Sequence, residues 1–285
     1  MTDPRWRDWI GREQRASDTL SSGLLRRWLA TFDLPDQADG CVPQGMHFCL
    51  CPPDTPTAGL GPDGHPERVG EHGFLPPIPL PRRMWAGSAL FFHVPLPVGA
   101  AVERTSRIVS VTEKSGGAGP LAFVEVEHQT LTDGALAVSE TQTLVYRAAA
   151  GPDAQLSPPE PQGSGFDPAG WDAHRTLVPD AKLLFRYSAL TFNTHRIHYD
   201  LPYAREVERY RGLVVHGPLI ATLLLRLVAE RIGDNRLASF AFKGLSPAIA
   251  GEPLHLAMRE EADGIALAAF ADDGRQVTQA SARGR

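Results

Sequence analysis

The most continuous apolar pattern in the chain runs from Leu219 to Ile232, where the only polar residues are Thr222, Arg226, Glu230 and Arg231. Thr222, Arg226 and Glu230 are spaced by four, so on a helix they form one narrow stripe and leave the remaining surface apolar. Gly217-Pro218 before the run and Gly233 after it are start and stop signals. The pattern predicts a helix enclosed on most sides. The most apolar stretch, Leu213 to Leu225, is thirteen residues long, contains His216 and Pro218 and runs into Arg226, so it is too short and too interrupted to span a bilayer. Period-two alternation follows. Leu254, Leu256 and Met258 alternate with His255, Ala257 and Arg259, and Asp263-Gly264 and Asp273-Gly274 are two-residue hairpin signals. They predict strands over Leu254–Glu260, Ile265–Ala271 and Arg275–Ser281, an antiparallel meander beside one buried helix.

The first half repeats this order. Phe91–Leu96 leads into Gly99-Ala100-Ala101-Val102, as Phe240–Leu245 leads into Gly251-Glu252-Pro253-Leu254. Strands are then expected over Arg104–Glu113, Leu121–Leu131 and Ala137–Arg147, separated by a glycine-rich turn at Ser115–Pro120 and by Asp133-Gly134. A sheet that wraps a central helix is the hot-dog arrangement, and two such units in tandem give an α+β double hot-dog fold. The helix of the first half is expected near Gly45–Cys51 and is short. The chemistry-bearing residues cluster in the second half, which reads as the equipped unit, with the first as a degenerate one.

Two stretches break the pattern. Residues 148–181 are rich in Pro, Gly, Ala and Ser with little periodicity and read as a linker. The expected domains are 1–147, a linker 148–181, and 182–285. Nine prolines fall within residues 52–81. Proline removes backbone donors and fixes φ, so that segment reads as a long ordered loop of the kind that carries function.

Composition narrows the classes. The chain has 285 residues, 42% hydrophobic and 21% charged, enough to bury a core and too apolar for global disorder. A net charge of −5 argues against nucleic acid as a partner. The first residues lack an apolar leader pattern, so a cytoplasmic location without membrane attachment is expected. Cys41, Cys49 and Cys51 show no disulfide or zinc spacing and read as small reduced thiols, even with His47 beside them.

The candidate chemistry sits in Ser188–Asp200 and Gly212–Ile220. The run Asn193-Thr194-His195-Arg196-Ile197-His198-Tyr199-Asp200, followed by His216-Gly217-Pro218 at a helix entry, resembles the MaoC-like, type-2 enoyl-CoA hydratase family of hot-dog proteins. The usual motif of that family is Asp-x-Asn-Pro-Leu-His. Counted back from His198, Asn193 stands at its aspartate, His195 at its Asn and Arg196 at its Pro. The altered run is similar to that of 3-hydroxyacyl-thioester dehydratases and of mesaconyl-C4-CoA and itaconyl-CoA hydratases. In the first half, Leu80–Gly87 and Gly119–Val124 resemble their N-terminal domain.

The resemblance implies an acyl-CoA substrate, a hydro-lyase reaction, and coenzyme A only as part of the substrate, with no metal or other cofactor. Hydrating an α,β-unsaturated thioester requires a base for water, an acid for the α-carbon and a donor for the enolate oxygen. His198 suits the base and acid, because imidazole titrates near neutrality. Gly217 suits the oxyanion donor, as a helix-entry N–H without a blocking Cβ. Asn193 cannot take a proton and is expected to position water through its amide. His195 is the alternative second titrating group and would share a face with His198 on a helix.

Substrate contacts are expected from His195, Arg196, Tyr199 and His216, and from Arg82, Arg83 and Trp85. Arg196 reads equally as an ion pair with Asp200, and His216 as an anchor of the helix entry. Arg82, Arg83 and Lys114 read as a solvated face or as phosphate contacts. A short branched dicarboxylic enoyl-CoA is the expected substrate and a homodimer the expected assembly. A fatty-acyl dehydratase, a hot-dog thioesterase and a non-catalytic acyl-CoA binding module are the competing readings.

Overall fold

The computed structural model describes residues 4–36, 40–67, 70, 73–116, 119–151, 153–162 and 165–285. The strands are β1 (Glu13–Thr19), β2 (Arg82–Phe92), β3 (Ala101–Gly116), β4 (Gly119–Thr132), β5 (Ala135–Arg147), β6 (Ala173–Leu177), β7 (Leu237–Gly244), β8 (Leu254–Glu261), β9 (Gly264–Ala271) and β10 (Gln276–Gly284), and the helices are α1 (Ser22–Thr31), α2 (Ala181–Thr191) and α3 (Gly217–Ile232). They form one ten-stranded sheet in the order β1-β3-β4-β5-β2-β7-β10-β9-β8-β6. Each half contributes five strands. The two halves join edge to edge where β2 pairs antiparallel with β7, Ala89 opposite Ala241. Gly87 is needed at this seam, because a Cβ there would run into the Phe242 carbonyl.

The α3 helix is the core of the second half. Leu219, Leu224, Leu225 and Val228 are buried against strand residues such as Leu256, Met258 and Leu267, each worth about 1.5–3 kcal/mol of burial. The polar stripe finds partners: Thr222 Oγ1 donates to the Pro218 carbonyl, Arg226 pairs with Asp234, and Glu230 with Arg175 of β6 at 2.6 Å. Among the described residues no helix is long and apolar enough to cross a membrane.

The meander strands lie where the alternation placed them. The stretch Phe91–Leu96 that leads into Gly99 is only the end of β2, which runs from Arg82 to Phe92 and was not anticipated. The segment read as linker, 148–181, contains β6, which pairs with β8 and closes the sheet edge. The amphipathic helices α1 and α2 were not anticipated. Both are capped by a side chain, Ser21 and Asp180 accepting from Leu24 and Leu183 N–H. The short helix expected at Gly45–Cys51 is a single 3₁₀ turn, Met46–Cys49. Residues 117 and 118 of the glycine-rich turn lie outside the described residues.

Candidate active site

The site forms where the turn after α2 meets the entry of α3. Phe192 ends α2 in the left-handed region, and Asn193 Oδ1 then accepts the His195 N–H at 2.9 Å. This local turn delivers His195 as the cap of a 3₁₀ turn over Arg196–His198. His195 and His198 are therefore not on one α-helical face, and the Asn193 oxygen expected to hold water already holds backbone.

His198 is buried. Its Nδ1 lies 2.7 Å from the Val214 carbonyl. A carbonyl only accepts, so Nδ1 carries the proton and Nε2 the lone pair. Val214 is itself fixed by its N–H to the Ile197 carbonyl at 2.9 Å. Burial lowers the His198 pKa to about 4, against the raising effect of the Val214 bond, so the imidazole is neutral at pH 7. Its ring stacks on His216 at 3.6 Å. His216 is fully enclosed, bonded through Nε2 to Ser188 Oγ at 2.8 Å, and held by burial well below the ordinary histidine range. As the N-cap of α3 and the residue before Gly217, it sets the His198 ring beside the α3 entry.

Gly217 supplies the first amide of α3, at the positive end of a sixteen-residue helix. A Cβ there would meet only the Trp85 carbonyl, at 3.8 Å, so no protein atom crowds the face that a thioester oxygen would approach. Trp85 is the neighbouring wall from β2. Its Nε1 donates to Ser88 Oγ at 2.8 Å, and its ring packs on Phe48.

The proline-rich loop supplies residues that the sequence reading did not name. Residues 62–64 dock on the His195 turn: Arg196 N–H donates to the Asp63 carbonyl at 2.9 Å, Thr194 Oγ1 to Gly64 at 2.6 Å, and Arg196 Nη1 to Pro62 at 2.8 Å. Gly64 has φ +86, and a Cβ there would strike the Thr194 carbonyl. The docked loop stacks His65 on His195 at 4.1 Å and holds it through Asp63 Oδ2 at 3.0 Å from Nδ1. Burial pushes the Asp63 carboxyl up, but His65 and then Arg83 outweigh it and leave it below its ordinary value. Four imidazoles thus follow one another from His216 through His198 and His195 to His65. Ligand atoms of Asp63, His65 and His195 lie within 4.8 Å of one another and could hold a metal ion. The only signals for this loop were its proline density and Asp63-Gly64, a turn pair.

The expected contact residues divide. Arg196 is occupied by Asp200, with Nη2 to Oδ2 at 2.8 Å, and lies over Tyr203. Arg82 is buried in an ion pair with Glu208 and donates to its carbonyl at 2.6 Å. Arg82 is thereby held as a structural clamp, and Arg196 forms the ion pair with Asp200 that was its alternative reading. Arg83 is half-buried, and its charge is felt at Asp63 and His195. Lys114 lies over Phe123. Tyr199 is exposed at the rim.

Comparison with known proteins agrees with this fold. The family model for hydroxyacyl-thioester dehydratase type 2 matches residues 45–250. The chain is 40% identical over 284 residues to a mesaconyl-C(4)-CoA hydratase from Chloroflexus aurantiacus, covering 99% of this chain and 98% of that one. A MaoC-like dehydratase from Phytophthora capsici superimposes with a TM-score of 0.69 at 16% identity, over 98% of both chains. A Mycobacterium tuberculosis protein described as a double hotdog fold superimposes at 0.58 and 15% identity, over 96% of this chain and 95% of that one. The chain is a double hot-dog hydro-lyase and belongs to the hydroxyacyl-thioester dehydratase type 2, MaoC-like family.

Proposed function

We propose that this protein adds water across the double bond of a short, branched dicarboxylic enoyl-CoA, of the mesaconyl-C4-CoA or itaconyl-CoA kind. The observation that carries the reading is the His198 tautomer beside the α3 entry. A neutral imidazole with its Nε2 carrying the lone pair stacks on the residue that precedes an amide suited to an enolate oxygen.

The steps follow from these groups. The thioester oxygen accepts the Gly217 N–H, which polarises the double bond. Water attacks C3 as His198 Nε2 removes its proton, and the π electrons move to the thioester oxygen, where the helix-entry amide stabilises the charge. The imidazolium returns that proton to the α-carbon, the carbonyl reforms, and His198 is neutral again. The low basicity of the buried imidazole makes its conjugate acid a strong donor for the second step. His216 fixes the plane of His198. Asn193 acts as a positioning residue by holding the His195 turn. The reverse sequence is the dehydration named in the family description, and the same residues serve both directions.

A substrate panel tests the proposal. Purified protein is incubated with crotonyl-, mesaconyl-C4- and itaconyl-CoA, and the products are read by mass spectrometry. The expected product is the ester plus one water. Release of free thiol would assign a thioesterase, and binding without turnover a carrier module.

A further inference from the structure

Among the described residues, one group of three metal-ligating side chains is assembled from both halves of the chain. Asp63 and His65 come from the proline-rich loop and His195 from the turn after α2, and one ligand atom of each lies within 4.8 Å of the other two. Asp63 Oδ2 stands 3.0 Å from His65 Nδ1, and the His65 and His195 rings stack at 4.1 Å. Backbone contacts hold the three together. The Asp63 carbonyl accepts the Arg196 N–H at 2.9 Å, and Asp63 Oδ1 accepts the His65 N–H at 3.0 Å. His195 is buried, whereas Asp63 and His65 are half-buried, so the group is open to solvent on the loop side.

Two imidazoles and one carboxylate suit a borderline divalent ion such as Zn²⁺, which binds them at about 2.0–2.2 Å and takes water in its remaining position. Neighbouring ligands of a tetrahedral ion stand about 3.4 Å apart, so the widest pair here has to close by no more than about 1.5 Å. Asp63 Oδ2 and His65 Nδ1 are already near that spacing. An ion between them takes the place of the shared proton, and the ring proton of His65 moves to Nε2, so the imidazole stays neutral. One nearby charge opposes the ion: Arg83 is felt at both Asp63 and His195 and limits the affinity. The site also touches the reaction centre, since the His195 ring lies 5.4 Å from that of His198.

We propose that Asp63, His65 and His195 form a binding site for a divalent transition-metal cation of the Zn²⁺ class, and that the bound ion suppresses the reaction at His198. The site stands on this geometry alone, and the suppression rests on the hydratase reading. In that reading His198 becomes an imidazolium between the two proton transfers, and a dication held by His195 makes that state costlier. The ion ties the loop of the N-terminal half to the catalytic turn of the C-terminal half.

The probe is Zn²⁺, added to the tag-free protein and followed by isothermal titration calorimetry. One ion per chain is expected, with a dissociation constant in the micromolar range. His65→Gln and Asp63→Asn each remove a ligand and should weaken binding by about 100-fold or more, whereas His255→Gln, at a histidine paired with Asp272 on β8, should leave it unchanged. Thermal melts identify any variant that does not fold. A measurement on wild type needs no variant: zinc anomalous scattering from crystals grown with Zn²⁺ should peak about 2.0–2.2 Å from ligand atoms of Asp63, His65 and His195. A peak on other side chains, no binding by wild type at millimolar Zn²⁺, or equal affinity in the ligand variants overturns the site. Hydration of mesaconyl-C4-CoA should fall in step with occupancy, and full turnover on a filled site overturns the suppression. A protein that hydrates no ester loses the hydratase reading and the suppression with it, while the calorimetry and the anomalous peak still decide the site.

Discussion

The two halves share a sheet and differ in what lies across it. In the C-terminal half, a sixteen-residue helix covers an apolar inner face and opens on His216 and Gly217. In the N-terminal half, the same position holds the four residues Met46–Cys49, with His47 inside the turn. A helix of four turns aligns enough peptide dipoles to stabilise an anion at its first amide, whereas one 3₁₀ turn does not. His47 stacks on Phe48 and is pressed by burial to about 3, while His198 has a carbonyl to set its tautomer. Shortening one helix therefore separates the labour: the long helix serves the reacting atoms, and the inner sheet face of the other half carries buried polar side chains such as Ser106 and Thr130 among its apolar ones.

The largest expected effect comes from removing the imidazole. His198→Ala should lower turnover by about 10²–10⁴ with the fold intact, whereas His47→Gln in the other half should leave turnover far closer to wild type. Comparable losses would erase the asymmetry. Gly217→Val should cost about 10²–10³ in kcat with little change in melting temperature, since the position has room for a Cβ. A variant that only unfolds would make the glycine structural.

A third expectation concerns pH. His47 is held near 3 and His128 and His198 near 4, all mainly by burial, and His195 and His216 are also lowered. Each folded pKa lies below its unfolded value of 6.5. The unfolded chain therefore binds these protons first, and stability is lost as pH falls from about 6.5 toward the folded values. Glu140 is raised from 4.5 to about 7 and acts oppositely, costing stability as pH rises through that window. Five groups oppose one, so the urea midpoint should be clearly lower at pH 5 than at pH 7.5. An equal or higher midpoint at pH 5 contradicts the buried neutral histidines. The smallest effect is at Asn193. Asn193→Ala removes the acceptor of the His195 turn and should cost about 0.5–2 kcal/mol, whereas Asn193→Asp keeps it and should retain most of the stability. If both variants match wild type in melting temperature, the turn does not depend on this side chain.

Much of this was legible in the sequence for a physical reason. The α3 helix and the C-terminal meander are set by local patterns: a stripe spaced by four, glycine stops and Asp-Gly turns. The motif at 193–198 and the helix entry at 217 lie close in sequence, so the candidate centre could be read there too. What was missed depends on distant partners. Nothing local in Arg82 tells a ligand contact from a clamp, because Glu208 is brought to it only by the fold, whereas the partner of Arg196, Asp200, stands four residues on and was legible. The β6 strand is extended by its pairing with β8, not by its own composition. His65 and Asp63 sit in a segment without periodicity, and the polar face of β3 to β5 reads as ordinary alternation until its inner side is known.

The central claim is that one imidazole both takes the proton of water and returns it to the α-carbon. A single group works on one face of the double bond, so hydration of crotonyl-CoA in D₂O should place deuterium and hydroxyl on the same side. Proton NMR coupling constants of the 3-hydroxybutyryl product read this directly. The account predicts syn addition. Anti addition would require two groups on opposite faces and would contradict a mechanism built on His198 alone.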